Sequence, residues 1–355
     1  MLGQRLQQAR NAAGLSLRDL ADKAGVTAMA ISKYERDQMK PSSDVLLRLA
    51  KALNVRVDYF FRSAQVELTQ PDFRKHPKLA KKEEERIIAD VREQLERWLE
   101  LESVLPASWP KAFNPPPRLP ARVGRLDDIE CIAECVREHW DLGANPLRDV
   151  VEEFELEGIK VIISRLNTDN HFDGLVAMAN SNPVIVVAEE WPGDRQRFTL
   201  AHELGHLILK DRLDPALDEE KACNRFAGAF LVPKKEALRA LGESRSWLEP
   251  QELFLLKQEW GLSMNGWLHR AQDLKIINST VAGKLWGLFR ARGWRDKEPE
   301  PQYPKEAAHR FEQLVFRALA EDLIGESRAA ELLGVDSTQL RARRRMEATD
   351  AADHH

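Results

Sequence analysis

Cysteine is scarce in this chain: there are three, at Cys131, Cys135 and Cys223, in 355 residues. An odd, widely spaced set excludes the disulfide framework of a small secreted domain. Cys131 and Cys135 read as neighbours on one helix face, because no Cys or His pair nearby completes a structural zinc site. Long apolar runs are missing as well. No stretch approaches the ~18–20 residues a helix needs to cross a bilayer, so no membrane partner is expected. Met1-Leu2-Gly3-Gln4-Arg5-Leu6 lacks the apolar core of a secretory signal, and the expected location is cytoplasmic. Charge of one sign is lacking too: the net charge of −4 gives no overall attraction to nucleic acid.

The charge is unevenly distributed, however. From Met1 to Arg62 there are eleven Lys and Arg against six Asp and Glu, so a basic segment begins an otherwise acidic chain. Its pattern predicts short helices. Gln4–Ala13 carries Leu6, Ala9 and Ala13 on one face and stops at Gly14. Ser16 followed by Asp19 reads as an N-cap with an acidic partner, opening a helix through Leu17, Leu20 and Ala21 to about Ala24. Gly25-Val26 then turns the chain, and Thr27 caps a helix from Ala28 to Arg36. Helix, glycine turn, helix is a helix-turn-helix. Pro41-Ser42-Ser43 restarts a further helix whose Leu46, Leu49, Ala50 and Leu53 close the core.

Lys81–Leu101 is rich in Glu, Lys and Arg, with Ile87, Ile88, Val91, Leu95, Trp98 and Leu99 at helical intervals. This amphipathic stripe suits either a homodimer seam or packing onto a neighbouring domain. Pro106, Pro110, Pro115, Pro116, Pro117 and Pro120 follow and mark a hinge. Asp128–Asp141 and Leu147–Leu156 read as helices, and Ile159–Ser164 and Pro183–Ala188 as strands of a small sheet. A second helix-turn-helix-like pair is visible near Ser327–Arg341.

Between these strands and the tail, His202-Glu203-Leu204-Gly205-His206 lies inside an apolar run. On a helix, His202 and His206 share a face and can reach one Zn²⁺, while Glu203 can meet the attacking water as general base. Leu200, Ala201, Leu204, Leu207 and Ile208 bury the rest of that helix, a setting in which idle imidazoles are costly. A catalytic zinc takes three protein ligands, and Lys221–Leu231 reads as a following helix preceded by the acidic stretch Asp214–Glu220. Periodicity does not choose between Glu219 and Glu220.

Two resemblances extend this reading. Ala13 to Ala21, Gly25-Val26-Thr27, Ile31 to Glu35, Pro41-Ser42, Leu49-Ala50 and Leu53 together closely resemble the XRE, or lambda-repressor-like, family. The resemblance implies double-stranded operator DNA as a partner. Ala28, Met29, Ser32 and Lys33 would stand at the major groove, Arg18, Arg36 and Lys40 at phosphates, and Thr27 would join the DNA-binding set. Leu17 stands where that family often has Gln, and Ala28 and Met29 offer apolar contact, so the base sequence read does not follow.

Arg195 to His206, followed by Glu220-Lys221-Ala222-Cys223-Asn224-Arg225-Phe226-Ala227 and Leu231-Val232-Pro233, resembles the ImmA/IrrE metallopeptidase family over roughly residues 127–250. That resemblance implies Glu220 as third zinc ligand, with Cys223 in place of the usual Ala. Asn224, one turn after Glu220, would orient the ligand carboxylate, and Glu219 would be a solvated acidic residue at a helix start. His171, Arg197 and His269 are oxyanion candidates by residue type alone.

The fold expected is multidomain and mainly α with a small β-sheet. It comprises an all-α helix-turn-helix domain at 1–65, an amphipathic helix and Pro-rich linker at 66–126, an α+β zincin-like domain at 127–250, and a helical C-terminal region at 251–355. The function expected is that of a regulator with a zinc endopeptidase that cuts an XRE-type repressor, or itself, as a stress switch. The alternative is a non-catalytic, antitoxin-like regulator whose peptidase-fold domain senses a ligand or partner.

Overall fold

The computed structural model describes residues 2–53, 55, 57–61, 66, 68–73, 81–106, 112–166, 172–180 and 182–346. Among these, no helix is long and apolar enough to cross a membrane. The chain forms two compact units: 1–67, 77–110 and 309–355 make the first, and 68–76 with 111–308 the second. The segment read from sequence as one C-terminal region, 251–355, is thus divided between them.

In the first unit, α1 (Leu2–Ala12), α2 (Leu17–Ala24), α3 (Ala28–Glu35) and α4 (Ser43–Ala52) surround Leu6, Leu20, Ile31 and Leu49, all fully buried. Local chemistry sets their ends. Ser16 Oγ accepts from Asp19 N–H while Asp19 accepts from Ser16 N–H, a complete capping box, and Gly25 ends α2 at φ 64°. Strand β1 (Leu68–Phe73) belongs to the second unit, and the chain then returns to the first in α5 (Lys81–Val104). The stripe of α5 is covered within this unit. Arg5 on α1 makes a buried ion pair with Glu96, while Trp98, Leu101 and Leu105 pack with Leu314 and Val315 near the C-terminus. Packing onto neighbouring elements, rather than a dimer seam, is therefore what buries it.

The second unit continues with α6 (Ile129–His139), α7 (Val150–Leu156), β2 (Lys160–Ser164), β3 (Gly174–Ala179) and β4 (Asn182–Ala188). Its helices are α8 (Gly193–Leu209), α9 (Glu219–Leu231), α10 (Lys234–Leu241), α11 (Pro250–Trp260), α12 (Met264–Asp273) and α13 (Ser279–Ala291). Helices α14 (Arg310–Ala320), α15 (Glu326–Leu333) and α16 (Ser337–Arg344) complete the first unit.

The sheet runs β1-β3-β4-β2: β3 pairs antiparallel with β1 and β4, and β4 pairs parallel with β2. Two of its strands, β2 and β4, match the sequence expectation closely. β3 is rich in Ala and Met, which favour strands little, and β1 contains Pro71, so neither carries a strong local strand signal. The ladder of β1 shifts register between Thr69 and Asp72, where the proline interrupts it.

Helix α8 lies under this sheet, with Leu200, Ala201 and Leu204 fully buried. Ionic contacts lock its surroundings. Arg197 donates to Glu306 (2.6 Å) and to Leu147 O (2.7 Å), and Glu306 also accepts from Val150 N–H at the start of α7 (2.8 Å). Glu130 on α6 accepts from Arg225 on α9 and, through both oxygens, from Arg270 on α12 (2.7 and 2.8 Å). Burial alone would raise the Glu130 carboxyl, but Arg270 and Arg225 hold it below the ordinary glutamate range.

Candidate metal centre and DNA-binding face

His202, Glu203 and His206 ride on α8, and α9 crosses it closely. Gly205 permits that approach: a Cβ there would lie 3.3 Å from Cys223 Cα and from Phe226 Cδ1. Helix α9 starts two residues earlier than its apolar stripe suggests, because Asp218 caps it by accepting from Lys221 N–H (3.1 Å). Glu219 and Glu220 therefore stand in its first turn, beside the histidines.

The two imidazoles are held alike. His202 Nδ1 donates to Asn224 Oδ1 (2.7 Å) and His206 Nδ1 to Glu219 Oε1 (2.9 Å). An amide oxygen and a carboxylate can only accept, so in the neutral rings the proton sits on Nδ1 and Nε2 carries the lone pair. Those lone-pair nitrogens face each other at 3.1 Å, and the Glu220 carboxylate lies 3.6 Å from one and 3.5 Å from the other. Three electron-rich groups at this spacing repel unless a proton or a metal cation lies among them. Cys223 also brings a sulfur within 4.8 Å of the histidine nitrogens. Glu203 is fully buried, and a Cβ on Gly174 of β3 would lie 3.7 Å from its Oε1.

In the first unit, Arg18, Thr27, Met29, Lys33, Arg36 and Lys40 are exposed, and Ala28 and Ser32 are half-buried along α3. Thr27 has a structural task, accepting from Ala30 N–H (3.1 Å), and Arg36 donates to Ser32 Oγ (2.7 Å). Met29 is 69% exposed on α3.

The profile of the helix-turn-helix family matches residues 6–60, and that of the IrrE N-terminal-like peptidase domain matches residues 154–272. The chain joins an XRE-type helix-turn-helix to an IrrE-type domain. Among curated proteins, it is 38% identical over 65 residues to the HTH-type transcriptional regulator ImmR of Bacillus subtilis, covering 18% of this chain and 51% of ImmR. It is 43% identical over 58 residues to the HTH-type transcriptional regulator SinR of the same species, covering 16% and 52%. An uncharacterized transcriptional regulator in the ATPase CF(0) region of Rhodospirillum rubrum is 45% identical over 60 residues, covering 17% and 56%. The chain thus spans about half the length of these relatives.

The IrrE-type match begins later than the resemblance over 127–250 and runs on into α12. Within this domain a cleft of about 690 Å³ opens beside His206, lined by Val176, Ala177 and Met178 of β3, by Leu213 and Leu217, and by Glu219. Of the oxyanion candidates, Arg197 is fully buried and engaged by Glu306, and His269 packs its ring on Trp286 (4.7 Å between centroids). Burial lowers the His269 imidazole, and His171 lies outside the described residues. Glu219, expected only as a solvated acidic residue, is 60% exposed but orients His206. No spacing rule signals that role. Its place beside the capping Asp218 was the one available hint.

Proposed function

We propose that the chain is a DNA-binding transcriptional regulator whose IrrE-type domain is a zinc-dependent endopeptidase. The carrying observation is the pair of Nε2 lone pairs facing each other at 3.1 Å beside the Glu220 carboxylate. The two histidine nitrogens, 3.1 Å apart, and the Glu220 oxygens, 3.5 and 3.6 Å from them, lie close to the spacing of donors that share one ion. His202, His206 and Glu220 would hold it. The hard carboxylate is preferred over Cys223, because catalytic sites of the two-histidine kind commonly take Glu.

A zinc ion there would polarise a peptide carbonyl and acidify water at neutral pH. Glu203, adjacent to His202 and not among the ligands, takes the proton from water and hands it to the leaving amine. Asn224 and Glu219 keep both imidazoles in the required tautomer. On the DNA side, Thr27, Ala28, Met29, Ser32 and Lys33 face the major groove, and Arg18, Arg36 and Lys40 meet phosphates.

The substrate is an XRE-type repressor or this chain itself, and its cleavage would act as a stress switch. The second possibility has an observation in its favour: the edge of β3 beside the cleft already carries Leu68–Phe73 of the same chain. An extended peptide that pairs with β3 must take that place.

Metal analysis combined with cleavage of a co-expressed XRE-type repressor by wild type and Glu203→Gln tests the reading. The variant is expected to keep zinc and lose cleavage, since general-base assistance is worth about 10²–10⁴ in rate. A zinc-loaded wild type that cuts neither repressor nor itself under DNA damage, while regulation persists in Glu203→Gln, overturns it. The non-catalytic regulator then takes its place.

A further inference from the structure

The α15–α16 pair repeats the lengths and the turn of the α2–α3 helix-turn-helix, although α15 opens at Gly325 without the side-chain cap that Ser16 gives α2. All four helices are eight residues long. Gly25 and Gly334 end the first helix of each pair in the left-handed region, at φ 64° and 66°. The next residue donates back in the same way: Val26 N–H to Ala21 O and Val335 N–H to Ala330 O, both 3.0 Å. Thr27 and Asp336 cap the second helices, and Ile31 and Leu340, at corresponding places, are both fully buried.

The exposed face of α16 then decides what such a motif would meet. Ser337, Thr338 and Arg341 occupy the places of Ala28, Met29 and Ser32, and all three are exposed. Arg341, Arg343, Arg344 and Arg345 form an exposed basic run, with no acidic residue from 337 to 346. Arg341 and Arg344 rest on Glu326, and Arg343 on Glu312 at 3.0 Å. These are exposed pairs, which contribute little and exchange readily for phosphate. Hydroxyls and guanidinium groups, with Met346 the exposed apolar side chain at their end, suit DNA more than a protein groove.

We propose that α15 and α16 form a second DNA-contacting helix-turn-helix, with α16 lying at a groove and its arginines on phosphates. Both motifs belong to one compact unit, and their neighbours α1 and α14 pack on the same helix. Helix α1 reaches α5 through the buried Arg5–Glu96 pair, and α14 reaches it through Phe311 on Trp98 (5.1 Å between centroids). Their spacing is therefore set by packing rather than by a free tether, as two contacts on one duplex require.

The test titrates the full chain against a random-sequence duplex over a range of salt. Each phosphate contact adds about 0.9 to the slope of log K against log salt. Arg341→Gln/Arg343→Gln/Arg345→Gln should lower that slope by about 2–3 and weaken binding at least tenfold. Glu312→Gln/Glu326→Gln, which releases arginines, should tighten binding. Circular dichroism and thermal midpoints track the fold of each variant.

Lys33→Ala/Arg36→Ala provides the companion arm. If it weakens binding while both C-terminal variants, still folded, leave slope and affinity unchanged, the second contact is refuted and the first stands. If all three leave binding unchanged, DNA binding itself fails. If the α16 variants alter the solution mass of the chain and not its DNA binding, α16 is a protein contact and the proposal is overturned.

Discussion

Asn224 offers the most direct measurement of how the candidate centre is built. Its Oδ1 accepts from His202 Nδ1 at 2.7 Å, and His202 is fully buried. Asn224→Ala removes that acceptor. The buried N–H then either goes unpaired, at about 1–3 kcal/mol, or the proton moves to Nε2 and occupies the lone pair a metal would use. Both routes penalise the metal-binding tautomer. With about 1.4 kcal/mol per factor of ten, zinc affinity should fall about 10–100-fold. Asn224→Asp restores an acceptor at the same place and should recover most of the loss. Competition against a chromophoric chelator, on the full chain, reads the change, and the thermal midpoint of the metal-free variants reports the fold. Unchanged zinc affinity in a folded Asn224→Ala protein would refute the claim that this hydrogen bond orients a ligand.

Glu220→Ala should empty the centre of zinc while Cys223→Ala retains it, with metal content per chain as the readout; the reverse outcome makes Cys223 the third ligand. Glu130→Gln leaves Arg225 and Arg270 buried beside a neutral amide and should cost about 3–5 kcal/mol in denaturant unfolding at neutral pH. Because the Glu130 carboxyl is held below its ordinary value, its contribution is complete above the usual glutamate range and is lost as pH falls through the depressed value. The gap between wild type and variant should therefore close in acid, and a gap independent of pH would show that its charge is not what matters. Replacing Leu68–Phe73 with a Gly-Ser segment of equal length should speed hydrogen exchange at β3 amides; unchanged protection there would mean that β1 does not cover that edge.

Local chemistry wrote much of this protein directly. The capping box at Ser16 and Asp19, the turn at Gly25 and the cap at Thr27 act within a few residues, so the helix-turn-helix is readable from order alone. The same holds for α8, where helical spacing brings His202 and His206 to one face. The choice between Glu219 and Glu220 was different. Both open α9, and only the crossing of α9 over α8, which Gly205 permits, brings one to His206 Nδ1 and the other beside the two Nε2 atoms.

Asn224, expected to orient the Glu220 carboxylate, meets His202 instead, and this contact, Glu306 and the edge strand β1 all depend on partners far away in sequence. Arg197 and Glu306 are 109 residues apart, and no periodicity links them. Strands β1 and β3 hold their places by pairing rather than by propensity. The helix-turn-helix-like pair near Ser327–Arg341 was legible in the sequence, while its likeness to the first in backbone angles and burial at Gly334 and Leu340 came from the structure. Periodicity and capping act through neighbouring residues, so sequence carries them. Ligand choice, ion-pair partners and edge pairing depend on which surfaces meet, and that is decided only by tertiary packing.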